Sequence, residues 1–177
     1  MTGDPPTVES NFITDLFAQL AEFAAGAETW QQVGVLLIAG AIPFIESYLG
    51  SFLGVLVGVP AGLAVPAAIL GNVIVTFALI ALASKARVAA TRRRGNGGGG
   101  GADAPRRKQK IAKYLDRFGV PGVCLLGPIV VASQITAPAL VALGATKRSV
   151  YVWQAVAIVA WGVLFGFFGD LAAGWFM

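Results

Sequence analysis

The sequence contains no histidine, and Cys124 is its one cysteine. Both shortages exclude chemistry. A Ser-His-Asp triad needs an imidazole, a His/Cys zinc site needs ligands that this chain lacks, and a lone thiol cannot close an intramolecular disulfide. Charge is scarce too: Asp, Glu, Lys and Arg make up 12% of the residues, against about 25% in a soluble domain. Between Thr29 and Ser84 the one formal charge is Glu46, and from Gly119 to Met177 the charges are Lys147, Arg148 and Asp170. Stretches this apolar cannot supply the polar surface of a soluble domain. The acidic start of the chain also lacks the basic n-region of a signal peptide.

What is present is hydrophobic length. Several runs reach the roughly 20 apolar residues that cross a bilayer as a helix, so the expected class is an integral membrane protein of a bacterial-type plasma membrane. All thirteen basic residues lie between Lys85 and Arg148, whereas the first 32 residues hold five acids and no base. A basic run can mean nucleic acid, but beside membrane segments it marks the cytoplasmic face. The bilayer is therefore the expected partner and nucleic acid is not.

Along the chain, residues 1–28 read as a tail followed by an amphipathic surface helix. Phe12, Ile13, Leu16, Phe17, Leu20 and Phe23 recur at helical spacing, opposite Asp15, Gln19 and Glu22. The first membrane repeat, 29–84, comprises a broken apolar segment at 33–57 and a spanning helix at 61–84. Pro43 interrupts the segment, with Glu46 just after it. Gly50, Gly54, Gly58 and Gly62 recur every four residues, which suits close helix contact. A basic, glycine-rich linker occupies 85–110. The second repeat, 111–177, has a broken segment at 119–143, interrupted at Gly127-Pro128, Ser133-Gln134-Ile135-Thr136 and Pro138, and a spanning helix at 149–168.

With Arg106 to Arg117 read as a short basic surface helix, both halves follow one order: surface helix, Pro-broken segment, spanning helix. Paired interrupted segments of this kind point to an inverted repeat. If both broken segments are re-entrant hairpins with tips at Pro43 and at Gly127 and Pro128, every basic residue faces the cytoplasm and both termini lie outside. If all four segments span, Lys147 and Arg148 face outside, against the positive-inside bias. The expected fold is therefore an all-α integral membrane protein, an inverted repeat of surface helix, Pro-broken re-entrant hairpin and one transmembrane helix, multi-pass in the plasma membrane.

Glu46 is the sharpest candidate for function, because a carboxylate inside a bilayer is costly unless paired or hydrated. One reading makes it a proton-coupling or cation-binding group; the other has it satisfying exposed backbone at the hairpin tip. Pro43, Ser47, Gln134, Thr136 and Asn72 are its candidate partners in a substrate or ion site, though Gln134 and Thr136 are equally suited to broken backbone groups and Asn72 to a neighbouring helix. Arg106, Arg107, Lys108, Lys113 and Arg117 are expected to meet lipid headgroups at the cytoplasmic face. No metal, cofactor or catalytic group is expected, and enzyme is the class least supported, although acids alone can bind a divalent ion.

Ala41-Ile42-Pro43-Phe44-Ile45-Glu46 resembles the acidic, proline-containing motif of the small multidrug export protein family. Lys113-Tyr114-Leu115-Asp116-Arg117-Phe118-Gly119, then Gly127-Pro128, then Ala142-Leu143-Gly144 before Lys147-Arg148, distantly resemble the second half of the DedA/VTT membrane protein superfamily. The resemblance covers about residues 30–170. It implies small-solute export or, in the larger superfamily, handling of lipid phosphates such as polyprenyl phosphate. In that superfamily arginines flank the second hairpin's proline; here Leu125-Leu126-Gly127-Pro128 and Ser133-Gln134 carry none. Three functions remain in play: ion-coupled efflux of a small cationic or lipophilic solute between two opposed hairpins; lipid carrier or scramblase activity; and a non-transporting scaffold that binds through the Gly50–Gly62 face. The small number of spanning helices leaves room for a homodimer.

Overall fold

A computed structural model describes residues 26–94 and 118–176, together with Asp15, Gln19, Glu22 and Phe23. Those four residues are helical and exposed; the rest of the expected surface helix lies outside the described residues. So do most of the glycine-rich linker and the expected headgroup contacts Arg106, Arg107, Lys108, Lys113 and Arg117.

The described chain is all helical. Helix α1 spans Thr29–Ala41, α2 Glu46–Leu56 and α3 Ala61–Arg94. A helical stretch over 118–126 leads through a 3-10 turn, Gly127–Ile129, to α4, Ser133–Leu143, and then α5, Lys147–Phe176. The expected boundaries shift where helix propensity outlasts the apolar run. The spanning helix expected at 61–84 continues to Arg94, because the Ala- and Arg-rich stretch after Ser84 is a good helix former. The one expected at 149–168 runs from Lys147 to Phe176, so Asp170 lies within it. Pro138, expected to belong to a break, sits inside α4.

Both broken segments fold at their proline-containing turns. After Ala41 the chain turns through residues 42–45, with Phe44 and Glu46 at positive φ, 72° and 51°. The turn closes on Ile42 O, which accepts from the Ile45 and Glu46 N–H groups at 3.2 and 3.0 Å, while the Tyr48 hydroxyl donates to Phe44 O at 2.8 Å. Left-handed backbone at two residues with side chains costs about 1–3 kcal/mol each and marks a conformation imposed by its surroundings. Beyond the turn α2 doubles back along α1, so that Gly50 lies against Gly40 and Gly54 against Leu36. The arms hold 13 and 11 residues, about 20 and 17 Å at 1.5 Å per residue, each short of a 30 Å hydrocarbon core. In the second break, Val130 and Val131 N–H groups donate to Gly127 O, and the Thr136 hydroxyl donates to Val131 O at 3.3 Å. Val123 and Cys124 then share a core with Leu140 and Val141 of α4.

The long helices α3 and α5 run antiparallel, with Val65 against Gly166, Ile69 against Gly162, and Phe77 against Tyr151. Helix α2 lies across α5, where Gly162 and Gly166 admit Ser47 and Ser51, while α4 lies along α3. Each hairpin therefore packs its second arm on the long helix of the other half. The hairpins enter from opposite ends of the α3–α5 pair, and their tips meet near its middle. The backbones of α1 and α3 approach closely: a Cβ at Gly40 would collide with the Ala68 carbonyl, and one at Gly71 with the Leu37 carbonyl.

The four-residue glycine repeat does not form the single face expected of it. Gly50 and Gly54 are buried inside the hairpin, Gly58 occupies a left-handed turn (φ 89°), and Gly62 opens a different helix. The Ala61–Ala90 and Lys147–Ala172 portions are long and apolar enough to cross a membrane, yet only 39% and 28% of their most apolar windows are buried. Leu63, Leu70, Ile74 and Leu82 on α3, and Val152, Val156, Val159, Val163 and Phe167 on α5, form outward apolar stripes.

Candidate functional site

Glu46 opens α2 directly after the turn, and its side chain is 1% exposed. Its Oε1 accepts the backbone N–H of Ser133 at 2.5 Å. Ser133 is the first residue of α4, and the residue before it, Ala132, has no side chain that can cap the helix. The first N–H groups of a helix have no partner within it and carry its positive end. Glu46 therefore caps the second hairpin from the tip of the first, across 87 residues of sequence. The Ser133 hydroxyl and the Asn72 side chain also face the carboxyl. All of these are neutral groups.

Asn72, fully buried on α3, links both tips. The Ser47 hydroxyl donates to Ile158 O of α5 at 2.9 Å, which leaves its oxygen to accept Asn72 Nδ2 at 3.4 Å. That bond turns the Asn72 Oδ1 toward three donors: Thr76 Oγ1 at 2.9 Å, Gln134 Nε2 at 3.2 Å and Ser133 Oγ at 3.3 Å. One amide thus connects α2, α3 and α4, and Ser47 adds α5. At 1.5 Å per residue Asn72 lies about 17 Å along α3 from Ala61, close to the middle of its apolar part.

Of the expected site residues, the fold brings Glu46, Ser47, Asn72 and Gln134 together. It does not bring Pro43, which is exposed in the turn, or Thr136, whose hydroxyl serves its own turn at Val131. Gly127 and Pro128 form the second turn, as expected of a hairpin tip. Sequence reasoning missed Thr76, Ser133, Ser51 and Gln154 as members of the buried polar set. Thr76 had a signal, its spacing of four from Asn72, and Ser133 lies next to Gln134 in the break.

The buried set has spare capacity. Gln134 Oε1, Ser51 Oγ and both amide atoms of Gln154 are buried without a hydrogen-bond partner. Buried polar groups are nearly always satisfied by protein or by water, so orphaned ones mark places where water or a bound ligand belongs. Gln134 donates to Asn72, so its unpartnered Oε1 belongs with Glu46 and Asn72 to a donor set of oxygens and amides. That set suits a hydrated proton or a small hard cation and lacks the cations an anion would need. Among the described residues no three His, Cys, Asp or Glu side chains gather at one point.

Set against family models, curated proteins and solved structures, the chain has no match in any of the three comparisons.

Proposed function

We propose that this chain is a small multi-pass membrane transporter. Its two hairpins enter the bilayer from opposite faces as an inverted repeat, and Glu46, where their tips meet, couples export of a cationic or lipophilic solute to a proton or small cation. The observation that carries this reading is a carboxyl 1% exposed, about midway along two apolar helices and held by neutral donors alone. Glu46 meets the backbone of the second tip, and with no basic partner to hold its charge it is also free to gain and lose a proton or a cation.

Three further features support it. The apolar stripes of α3 and α5 point outward, as lipid-facing surfaces do and the core helices of soluble domains do not. Ser84 and Arg87 of α3 adjoin Lys147 of α5, so the basic residues gather at one end, which the positive-inside bias assigns to the cytoplasm. The orphaned Oε1 of Gln134 supplies unmet hydrogen-bonding capacity beside the meeting point. The scaffold reading loses its proposed contact surface, since Gly50 and Gly54 are used within the chain. The lipid-carrier reading lacks a cation at the meeting tips to receive a phosphate.

The test is transport in proteoliposomes containing a pH-sensitive dye, with lipophilic cations imposed on one side. The wild type moves protons against cation, and Glu46→Gln stops proton movement while the protein stays folded. A fully coupled Glu46→Gln variant refutes the assignment. Movement of fluorescent phospholipid between leaflets, equal in wild type and Glu46→Gln, would favour the lipid-carrier reading instead.

A further inference from the structure

Gln154 of α5 is fully buried, and neither its Oε1 nor its Nε2 has a hydrogen-bond partner. Among the described residues it is the one side chain with two such atoms. Polar neighbours on the same helix do find partners. The Tyr151 hydroxyl donates to Phe77 O at 3.2 Å, and Trp161 Nε1 donates to Leu125 O at 2.8 Å. Val150 and Ala157 stand one turn to either side of Gln154, and both belong to the core that holds Ile80, Cys124 and Leu140. The amide therefore faces an apolar interior built by α3, α4 and the stretch before the second turn.

The two unpartnered atoms define what belongs there. Oε1 needs a donor and Nε2 an acceptor. A bare cation would satisfy the oxygen only, and an anion the nitrogen only. A hydroxylic group does both. In a core whose members Cys124, Leu140, Val150 and Ala157 are all buried, the hydroxylic molecule small enough to enter is water.

Position gives that water a role. Lys147, Tyr151, Gln154 and Ile158 recur along α5 at helical spacing, so they form one stripe. The stripe starts at the exposed Lys147, whose Nζ lies 5.4 Å from the Tyr151 ring centroid. It ends at Ile158 O, which accepts the hydroxyl of Ser47, the residue after Glu46. Gln154 precedes Ile158 by one turn, about 6 Å along the axis. A water making two hydrogen bonds spans about 5.5 Å between its partners, so a water on this amide reaches the level of the meeting tips.

We infer that Gln154 holds an internal water, and that this water gives protons a path between the basic end of α5 and Glu46. A proton arriving from that end adds to the water oxygen, another of the water's protons passes to the Glu46 carboxylate, and the water is restored. The amide orients the water and is itself unchanged, so Gln154 is a positioning residue. The path rests on the reading of Glu46 as the coupling carboxyl; the water site does not.

The test of the water site is X-ray hydroxyl-radical labelling of the full chain in lipid nanodiscs, read by mass spectrometry. Radiolysis turns a bound water into a radical that marks the side chains around it. Cys124 is fully buried, out of reach of radicals in bulk water, and shares the core that flanks Gln154. It should be labelled in the wild type. Gln154→Leu, which keeps the volume and loses the amide, should lower that labelling about fivefold, and Gln154→Asn, which keeps an amide, should restore most of it. The exposed Trp30 is labelled equally in all three and controls for dose. Gln154→Met makes the same comparison if the leucine variant does not fold. An unlabelled Cys124 in the wild type, or equal labelling in the leucine and methionine variants, overturns the site. In proteoliposomes Gln154→Leu should slow Glu46-dependent proton movement about tenfold, with Gln154→Asn faster than it. An unchanged rate overturns the path. A wild type that moves no protons refutes the coupling reading and the path with it, whereas Cys124 labelling that depends on the amide still establishes the water.

Discussion

Replacing Glu46 separates its role as a helix cap from its role as a titrating group. Glu46→Gln keeps an oxygen where Oε1 accepts the Ser133 N–H, whereas Glu46→Leu fills a similar volume and removes the acceptor. The Ser133 N–H would then be buried with nothing to receive it, at a cost of about 1–3 kcal/mol. For a chain of this size 1 kcal/mol corresponds to about 2–4 °C in melting temperature. Taking about 2 kcal/mol, Glu46→Leu should melt about 4–8 °C below wild type in detergent, and Glu46→Gln within about 3 °C of it. Ser133→Pro makes the argument specific. Proline fits the first position of a helix, and Ala132, at φ −49° and ψ 141°, already has the extended backbone that precedes a proline. With the donor gone, Glu46→Leu should cost at least 1 kcal/mol less than it does in a Ser133→Ala background, which controls for the hydroxyl. The cap is refuted if Glu46→Leu is as stable as wild type, or if its cost is the same in both backgrounds.

Two other substitutions probe the packing and the orphaned amides. Gly71→Ala drives a Cβ into the Leu37 carbonyl, so α1 and α3 must separate; overpacking of about 2 kcal/mol lowers the melting temperature by about 4–8 °C, whereas Gly62→Ala, which meets nothing, leaves it unchanged or raised. Gln154→Leu removes two buried polar atoms that have no partner, and should raise the melting temperature by at least 2 °C while slowing coupled transport in proteoliposomes, the trade expected when a polar group is kept for function.

Much of this architecture is legible locally. Pro43 and Pro128 announce broken segments because a ring nitrogen cannot donate to the helix ladder, although Pro66 and Pro138 are carried inside helices that do not end at them. Glu46 and Asn72 stand out because each is polar within an apolar run. What the sequence does not display is which partner each polar group finds. The bond from Ser133 N to Glu46 joins residues with no local relation, and only packing α2 on α5 and α4 on α3 brings them together. The close approaches were equally hidden. The Gly50–Gly62 repeat drew attention because it is regular, yet Gly40 and Gly71 make a close crossing and Gly162 and Gly166 admit α2. A glycine's role depends on what lies opposite, and spacing alone does not specify that. Gln154 carries no such signal, because one amide in a long apolar helix gives no sign of whether it is satisfied. The extension of α3 past Ser84 is hidden because the apolar run ends there while alanine and arginine sustain the helix to Arg94.

Side-specific thiol labelling distinguishes two hairpins that enter from opposite faces of the membrane from segments that cross it. In a Cys124→Ala background, single cysteines replace Trp30, Pro60, Ala86 and Thr146, all exposed residues at the ends of the helices. A membrane-impermeant maleimide is applied to intact cells and to inverted vesicles. Cysteines at positions 30 and 60 should label only from outside and those at 86 and 146 only from the cytoplasmic side, since each hairpin returns to the face it entered. Labelling of positions 30 and 60 from opposite sides, or of 86 and 146 from opposite sides, would mean that the broken segments cross the bilayer and are not hairpins.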